Sequence, residues 1–375
     1  MMTPRFLFPF LGLVLISAVA SGQQSKTTRF DQWDRNADGK LTREELPQPI
    51  RANFDRVDRN KDGFISREED AAMGAGRNQP RNSAPRSLEG VRVMRDLDYA
   101  GNDNPRQKLD LYLPEKRATD SSNLPVIVFI HGGGWQNGDK TSGGQKIAAL
   151  VASGKYAGAS IGYRLTNEAQ WPSQIHDCKA GLRWIRAHAA EYGLDPNRIA
   201  VWGTSAGGHL VAMLGVSHGV EGLEGAIGPH LDQSSEVQAV VDFFGPTEML
   251  TMGDHPSKID HNAINSPESK LIGGAVQENP EKAKSASPIE HVSADDEPFL
   301  IVHGTADDLV PYPQSVDFEK KLEAAGVSVT LLTVEGGGHG KGFGPSVDAA
   351  VEAFLAKQLL GEERELKDST VNAGE

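Results

Sequence analysis

The chain has 375 residues, of which 38% are hydrophobic and 24% are charged, a composition typical of globular proteins. This length allows one large domain and one small domain. The net charge of −13 argues against nucleic acid as a partner, because phosphate groups bind basic surfaces, and the single cysteine, Cys178, excludes an internal disulfide.

Residues 1–22 have the pattern of a secretory signal peptide. Residues 6–20 are mainly apolar, and they end in the small-x-small cleavage signal of residues 18–20. We therefore expect cleavage near Ala20 or Gly22, a secreted or periplasmic protein, and no membrane association after cleavage. The alternative is an uncleaved membrane anchor, although the apolar stretch is short for a span of about 20 residues.

Two acidic loops in residues 23–73 match the calcium-binding loop of an EF-hand. Each is 12 residues long with glycine at position 6, and the loop Asp58–Glu69 repeats the pattern of Asp34–Glu45 after 24 residues. Ca²⁺ takes about six to eight oxygen ligands, and each loop offers them from side chains and one backbone carbonyl. The predicted ligands are Asp34, Asn36, Asp38, Lys40, Thr42 and Glu45 in the first loop, and Asp58, Asn60, Asp62, Phe64, Ser66 and Glu69 in the second.

The apolar residues around these loops predict a compact pair of EF-hands. Leu41 and Ile65 stand at position 8 of their loops, where two EF-hands can pair as a short ribbon. The alternative is an acidic, turn-rich surface segment that binds nothing, and two loops in register argue against it. We expect two Ca²⁺ sites that catalysis does not need, while the partner of the pair stays unknown. The entering helices are expected to bury Phe30, Trp33, Phe54 and Val57.

The rest of the chain predicts an α/β domain. Residues 74–90, rich in Gly, Pro, Asn, Ser and Arg, are a predicted flexible linker. Residues 91–361 begin with an antiparallel hairpin and continue as alternating strands and helices, which predicts a mostly parallel sheet flanked by helices. Ligands bind at the carboxyl ends of such strands. Residues 362–375 are predicted to be a disordered tail.

A Gly-rich loop, His131–Trp135, follows the apolar run Val126–Ile130, which has the composition of a buried parallel strand. In lipases and esterases, such a loop supplies backbone amides to an oxyanion hole, together with the residue after the nucleophilic serine. We assign this role to the amides of Gly133, Gly134 and Ala206. For the loop alone, a Gly-rich turn without chemistry is the alternative.

Residues 203–207, Gly-Thr-Ser-Ala-Gly, form a G-x-S-x-G motif between a strand-like segment and a helix-like segment. This context is typical of a nucleophile elbow, a sharp strand-to-helix turn that exposes a serine hydroxyl. A serine hydroxyl is a weak nucleophile at neutral pH and needs an adjacent base. The sequence therefore predicts Ser205 as the nucleophile of a hydrolase.

The base and its acid are expected after two later strands. His339 lies among glycines after the last predicted strand, and Asp307 and Asp308 follow the strand before it. Histidine is the usual base because its pKa lies near neutral pH, and an acid is needed to orient it. From these residues alone both aspartates are candidates, one as the orienting acid and the other as a turn or solvated residue. The order Ser, Asp, His is that of the α/β-hydrolases.

As a set, these motifs resemble the α/β-hydrolase esterases related to hormone-sensitive lipase, and most closely the bacterial feruloyl- and acetyl-esterase type. Residues 163–165, Tyr-Arg-Leu, and 287–289, Ser-Pro-Ile, belong to the resemblance, which covers about residues 91–361. It implies an α/β-hydrolase fold and places the acid at Asp307. It also implies hydrolysis of carboxylic esters through an acyl-serine, often on acylated plant or algal polysaccharides.

Two other functions remain as alternatives. A serine peptidase of the prolyl-oligopeptidase type shares the elbow and the order of the triad, but about 70 residues ahead of the domain leave no room for its usual propeller. A calcium-dependent binding protein with an inert hydrolase fold is the second alternative, although every triad and oxyanion position is filled.

The long irregular insertion of residues 246–287 precedes the strand that carries the aspartates. Loops of this length usually have a function or are disordered. We expect the insertion to cover the acyl or sugar pocket together with Trp135 and Trp171. His131 and His303 are expected to be structural members of their strand-end loops.

Overall fold

The computed structural model divides the chain into two units, residues 1–86 and residues 87–375. The predicted signal peptide, residues 1–22, and residues 74–87 of the predicted linker lie outside the described residues. Within the described part of the chain, no helix combines the length and the apolar character needed to cross a bilayer. The structure describes residues 29–47, 51, 54–70, 88–118 and 123–375.

The first unit contains the two EF-hand loops. Its strands β1 and β2 pair antiparallel with Leu41 opposite Ile65, which confirms the predicted ribbon. All four predicted apolar residues belong to its core, with Trp33 packed at the edge. The elements are α1 (Arg29–Trp33), β1 (Lys40–Leu41), α2 (Phe54–Val57) and β2 (Ile65–Ser66), and the buried core residues are Phe30, Leu41, Leu46, Phe54, Val57 and Ile65.

The second unit is built on a sheet whose nine described strands run in the order β11-β10-β9-β8-β7-β5-β6-β4-β3. Strands β3, β4 and β6 pair antiparallel, and all other neighbours are parallel, which confirms the predicted mostly parallel sheet. The strands are β3 (Val91–Asp98), β4 (Lys108–Pro114), β5 (Leu124–Ile130), β6 (Ala157–Ile161), β7 (Leu194–Thr204), β8 (Ala239–Phe243), β9 (Phe299–Gly304), β10 (Val329–Glu335) and β11 (Ser369–Asn372).

Helices cover both faces of this sheet. Apolar residues of α4, α6 and α9 pack on one face, and those of α3 and α10 pack on the other. This double cover explains why every residue of β5 is buried and why its sequence is a continuous apolar run. The helices are α3 (Gly143–Ala152), α4 (Ser173–Ala187), α5 (Ala189–Tyr192), α6 (Ala206–Val216), α7 (Pro267–Ile272), α8 (Pro280–Ser285), α9 (Pro313–Ala325) and α10 (Pro345–Leu360).

The prediction of a disordered tail at residues 362–375 is wrong. Strand β11 pairs parallel with β10, and beyond it the amide of Ser346 donates to the carbonyl of Glu375 at 2.8 Å. The backbone groups at the free edge of β10 can be satisfied by almost any extended segment, so the polar composition of the tail does not prevent pairing.

Candidate active site

The serine turn has the geometry of a nucleophile elbow. Ser205 lies between the end of β7 and the start of α6 with φ 57° and ψ −124°, a conformation that a residue with a side chain rarely adopts. A Cβ atom on Gly203 would lie 2.1 Å from the carbonyl oxygen of Gly207, and one on Gly207 would lie 2.2 Å from that of Ile130. Both flanking glycines are therefore required for the turn to close.

The structure brings Ser205, His339 and Asp307 together in one hydrogen-bonded line. The Oγ of Ser205 lies 3.0 Å from Nε2 of His339, and Nδ1 of His339 lies 2.7 Å from Oδ2 of Asp307. With the proton on Nδ1, the imidazole donates to the carboxylate and its Nε2 accepts from the serine hydroxyl. These side chains follow β7, β9 and β10, whose carboxyl ends meet at the same edge of the sheet.

The two aspartates differ sharply in their surroundings. Asp307 is buried, and its Oδ1 accepts hydrogen bonds from the amides of Leu309 and Val310 at 2.8 and 3.0 Å. Burial alone would raise the pKa of Asp307, but the hydrogen bonds from its histidine neighbours and from Leu309 hold the pKa well below its usual range. Asp308 is exposed and forms an ion pair with Lys258. Only Asp307 is therefore placed to orient His339.

His303 is a neighbour of Asp307 that the motifs did not identify. Its fully buried ring has Nε2 3.4 Å from Oδ2 of Asp307 and 3.0 Å from the carbonyl oxygen of Val310. Its Nδ1 lies 2.7 Å from Oγ of Ser315, so the ring is fixed from both sides. The structural role expected for His303 thus includes contact with the carboxylate itself. In the sequence, the signal for this contact is the four-residue spacing between His303 and Asp307 across the end of β9.

The residues that carry the predicted oxyanion amides line the same cavity as the serine. Gly133 and Gly134 have φ of 119° and 59°, and a Cβ on Gly133 would lie 2.3 Å from the carbonyl oxygen of Asn137. Ala206 is the first residue of α6, so its amide has no partner within the helix. No hydrogen bond joins the amides of Gly133, Gly134 or Ala206 to an acceptor among the described residues. Three donors are thus free to bind an oxygen beside Ser205.

A cavity of about 650 Å³ opens above these groups. As expected, the insertion of residues 246–287 covers it and Trp135 lines it. The expectation for Trp171 is wrong, because its ring packs against His209 and its Nε1 donates to Oγ of Ser285 at 3.1 Å. The insertion residues that line the cavity are Pro246, Ile259, His261, Pro267 and Glu268.

A buried histidine–glutamate pair lies in the insertion of residues 246–287 that covers the cavity. Nδ1 of His261 is 3.1 Å from Oε1 of Glu268, and its Nε2 is 3.1 Å from the carbonyl oxygen of Leu309. The amide of Leu309 in turn donates to Asp307. The pair therefore connects the 246–287 insertion to the loop that contains Asp307 and Leu309. No motif pointed to it, because the two residues lie in a segment without periodic pattern.

His131 is structural, as expected. Its ring stacks on Tyr163 with centroids 4.3 Å apart, and burial lowers the pKa of His131 to about 4. The imidazole is therefore neutral at physiological pH. Its backbone carbonyl accepts a hydrogen bond from the hydroxyl of Tyr163 at 2.8 Å, which anchors the start of the Gly-rich loop.

Both EF-hand loops are closed by their own carboxylates. Asp34 accepts hydrogen bonds from the amides of Asp38 and Gly39 at 3.1 and 2.9 Å, and Glu45 accepts from the amide of Thr42 at 2.8 Å. The second loop repeats these contacts, and hydrogen bonds from the amide and hydroxyl of Ser66 lower the pKa of Glu69 to about 2.

The donor set of these loops fits a hard cation. Among the described residues, no group of three or more His, Cys, Asp or Glu side chains is arranged to hold a metal ion. Each loop instead combines carboxylates with Asn, Ser or Thr side-chain oxygens and a backbone carbonyl, which is the mixed oxygen set that Ca²⁺ takes. Positive φ values at Gly39 and Gly63, 79° and 85°, make the sharp turn at position 6 of each loop.

The parallel sheet, the serine at a strand-to-helix turn and the order of the triad residues define an α/β-hydrolase. The chain belongs to the BD-FAE family, which it matches over residues 109–322. Residues 27–48 and 50–69 match the EF hand family.

Several similar proteins are esterases. Esterase LipC of Mycobacterium tuberculosis is 32% identical over 239 residues, which cover 64% of this chain and 58% of LipC. The probable carboxylic ester hydrolase LipM of the same organism is 29% identical, with coverage of 74% and 64%. This chain thus spans about three fifths of the length of these relatives.

Solved structures give a similar result. A truncated carbohydrate esterase from gut microbiota has 35% sequence identity and a TM-score of 0.66, with 72% of this chain and 96% of that chain covered. Esterase 2 of Thermogutta terrifontis has 27% identity and a TM-score of 0.56, with coverage of 72% and 93%. The unit of residues 87–375 therefore has the α/β-hydrolase fold of these solved esterases.

Proposed function

We propose that this protein is a secreted serine carboxylesterase that removes acyl groups from carbohydrate esters through an acyl-serine intermediate. The observation that carries the proposal is the contact of Ser205 Oγ with His339 Nε2 at 3.0 Å, beside three free backbone amides and within a cavity of about 650 Å³. A nucleophile, a base within hydrogen-bond reach and preorganised donors for the developing charge are the parts that acyl transfer needs.

The first half of the reaction forms the acyl-enzyme. Nε2 of His339 takes the proton of Ser205 as Oγ attacks the ester carbonyl, and the amides of Gly133, Gly134 and Ala206 stabilise the oxyanion. Loss of one such donor typically costs about 3–4 kcal/mol of transition-state stabilisation. The imidazolium then gives its proton to the leaving alcohol.

The second half returns the enzyme to its starting state. A water molecule takes the place of the alcohol, His339 removes its proton, and the acid leaves as Ser205 is reprotonated. Asp307 stays ionised throughout, because its low pKa keeps the carboxylate charged near neutral pH. Its negative charge stabilises the imidazolium, and its two backbone donors keep Oδ2 turned toward the ring.

The carbohydrate ester is supported by the likeness to a carbohydrate esterase and by the chemistry of the cavity. Phe129, Phe244, Leu309 and Val310 line the cavity beside the serine, and such walls suit an apolar acyl group of acetyl or feruloyl type. Secretion is supported by the pattern of residues 1–22, which is that of a signal peptide.

Calcium would be held by the EF-hand loops of the first unit. In the first loop the ligands would be Asp34, Asn36, Asp38, Thr42 and Glu45 with the carbonyl of Lys40, and the second loop would use Asp58, Asn60, Asp62, Ser66 and Glu69 with the carbonyl of Phe64. A bound Ca²⁺ would neutralise carboxylates packed into a short loop and so stabilise the first unit. Its expected role is stability, docking or tethering of the enzyme.

Labelling with a fluorophosphonate probe tests the nucleophile. The wild type should be labelled and Ser205→Ala should not, while both proteins should have the same melting temperature within error. Equal labelling of the two proteins would remove Ser205 from its role.

A substrate panel tests the bond that is cleaved. We expect hydrolysis of p-nitrophenyl acetate, methyl ferulate and acetylated xylan, with little cleavage of an aminoacyl-proline amide. Faster cleavage of the amide than of the aryl acetate would favour the peptidase alternative.

A further inference from the structure

A second concave site adjoins the catalytic cavity. This cleft has a volume of about 600 Å³, and Asn137 lines both it and the cavity that contains Ser205. Helix α7 separates them, with Pro267 and Glu268 on the cavity side and the next turn, including Lys270, on the cleft side. The two sites therefore adjoin at Asn137, close enough for a chain-like substrate bound at the serine to reach the cleft.

The cleft differs from the cavity in its chemistry. Side-chain amides and two hydroxyls dominate its lining, and Lys270 is the one charged side chain among the lining residues, all of which are described. The polar side chains of the cleft are Gln136, Asn137, Thr166, Asn167, Gln170, Ser269 and Lys270. An amide group offers both donors and an acceptor, so this lining suits a neutral ligand rich in hydroxyl groups.

Most of this hydrogen-bonding capacity is unused. The side chains of Asn137, Thr166, Asn167 and Gln170 make no hydrogen bond to any other residue in the described ranges. Lys270 Nζ donates to Oε1 of Gln136 at 2.8 Å, which leaves the NH₂ group of that amide free. Unpaired amides in a concave site are available to a ligand without breaking internal bonds.

The walls of the cleft are held in place by backbone contacts. The amide of Thr166 donates to the carbonyl of Trp135 at 2.9 Å, and the amide of Trp171 donates to that of Leu271 at 2.8 Å. These bonds tie the 166–170 loop to the Gly-rich loop on one side and to α7 on the other. The cleft is thus preformed, which lowers the entropic cost of binding.

A glycine makes room for one of the amides. Gly273 has φ 76°, and a Cβ atom there would lie 2.1 Å from Oε1 of Gln170. At the rim, Ile264 is 67% exposed and can cover the C–H face of a sugar ring. Amides that bind hydroxyl groups beside an apolar surface match the two kinds of face that a sugar presents.

We propose that this cleft binds the sugar residues of the leaving alcohol, so that the ester substrate is an acylated neutral oligosaccharide or polysaccharide with its acyl group in the cavity of Ser205. The inference rests on the proposed esterase function and adds where the carbohydrate chain lies. The acyl group contacts apolar walls, and the sugars that flank the esterified residue contact the amides.

The test compares two esters in the full-length protein. One is p-nitrophenyl acetate, which is too small to reach the cleft, and the other is O-acetylated xylotetraose or O-acetylated mannotetraose, whichever is hydrolysed faster. The double variant Asn167→Ala/Gln170→Ala should lower the ratio of kcat/KM for the tetraose over that for the aryl ester about tenfold, since each lost hydrogen bond is worth roughly a factor of three to ten. The matched control is Asn197→Ala, an exposed amide at the amino end of β7, which should not change this ratio.

A second measurement needs no variant. Unacetylated xylotetraose or mannotetraose should inhibit hydrolysis of the corresponding O-acetylated tetraose by the wild type competitively, because both need the cleft, and xylose or mannose alone should inhibit more weakly. Absence of inhibition by both tetraoses would overturn the inference even if the double variant failed to fold.

The outcomes separate the two levels of the proposal. If acetylated tetraoses are hydrolysed and the double variant leaves the ratio unchanged, the cleft is not the sugar site, while the carbohydrate esterase function stands. If p-nitrophenyl acetate is hydrolysed and neither tetraose is, both the cleft and the carbohydrate substrate are wrong, and only the esterase remains. If no ester is hydrolysed, the proposed function itself fails.

Discussion

Replacement of Asp307 by asparagine tests how the triad is oriented. The carboxylate has two distinct ends, because Oδ1 accepts hydrogen bonds from the amides of Leu309 and Val310 and Oδ2 accepts from Nδ1 of His339 at 2.7 Å. In Asp307→Asn, the amide oxygen must stay at the Oδ1 position, since an NH₂ group there would face two N–H donors and leave them unsatisfied at about 1–3 kcal/mol each. The NH₂ group therefore faces His339.

The consequence is a change of tautomer. An NH₂ group donates to Nδ1 of His339, so the ring proton moves to Nε2, which can no longer accept the proton of Ser205. We expect kcat for p-nitrophenyl acetate to fall about 10⁴-fold, the loss typical of a wrong histidine tautomer in such a triad. By transition-state arithmetic this is about 5.5 kcal/mol.

The assay is the steady-state hydrolysis of p-nitrophenyl acetate at pH 8, with melting temperature as the folding check. The matched control is Asp308→Asn, since this exposed carboxylate pairs with Lys258 at the surface, where an ion pair contributes little, and kcat should stay within about twofold. If Asp307→Asn folds and retains a tenth or more of the wild-type kcat, the orientation argument is refuted. A large loss in Asp308→Asn alone would assign the acid to the other aspartate.

Three further predictions concern stability, the elbow and calcium. Hydrogen bonds lower the pKa of Asp307 in the folded state. The stability that this carboxylate contributes is therefore present above its unfolded pKa of about 4 and is lost as the pH falls below that value. The melting temperature of the wild type should fall more steeply than that of Asp307→Asn between about pH 5 and pH 3. Equal slopes would contradict this reading. Gly207→Ala should lower kcat/KM about 100-fold or more, because the new Cβ would lie 2.2 Å from the carbonyl oxygen of Ile130 and must displace the elbow. Near-normal kinetics would show that the turn tolerates a side chain. Added Ca²⁺ should raise the melting temperature of the first unit in the wild type and not in Glu45→Gln/Glu69→Gln, while chelation should leave hydrolysis of p-nitrophenyl acetate within about twofold. A loss of turnover on chelation would connect calcium to catalysis.

Much of the candidate site could be predicted from the sequence because its backbone requirements are local. Glycines stand around Ser205 and in the Gly-rich loop where a side chain would collide with a carbonyl oxygen. This requirement fixes glycine at set positions of a short segment, which can be recognised as a motif. The EF-hand loops are equally local, since a glycine turn and alternating oxygen ligands fit within 12 residues. The parallel sheet followed from strands that alternate with helices.

The sequence by itself thus determined the class of fold, the order of the reacting groups and the calcium-loop pattern. Tertiary structure alone decided which aspartate is buried under the donors of Leu309 and Val310, that His303 touches the carboxylate, and that Trp171 packs against His209. It also decided that the polar tail pairs with β10 and that amides from two separate segments line one cleft. The reason is physical: these contacts join residues far apart in the chain, and their energies depend on burial and on the neighbours that folding brings near, which no short pattern records.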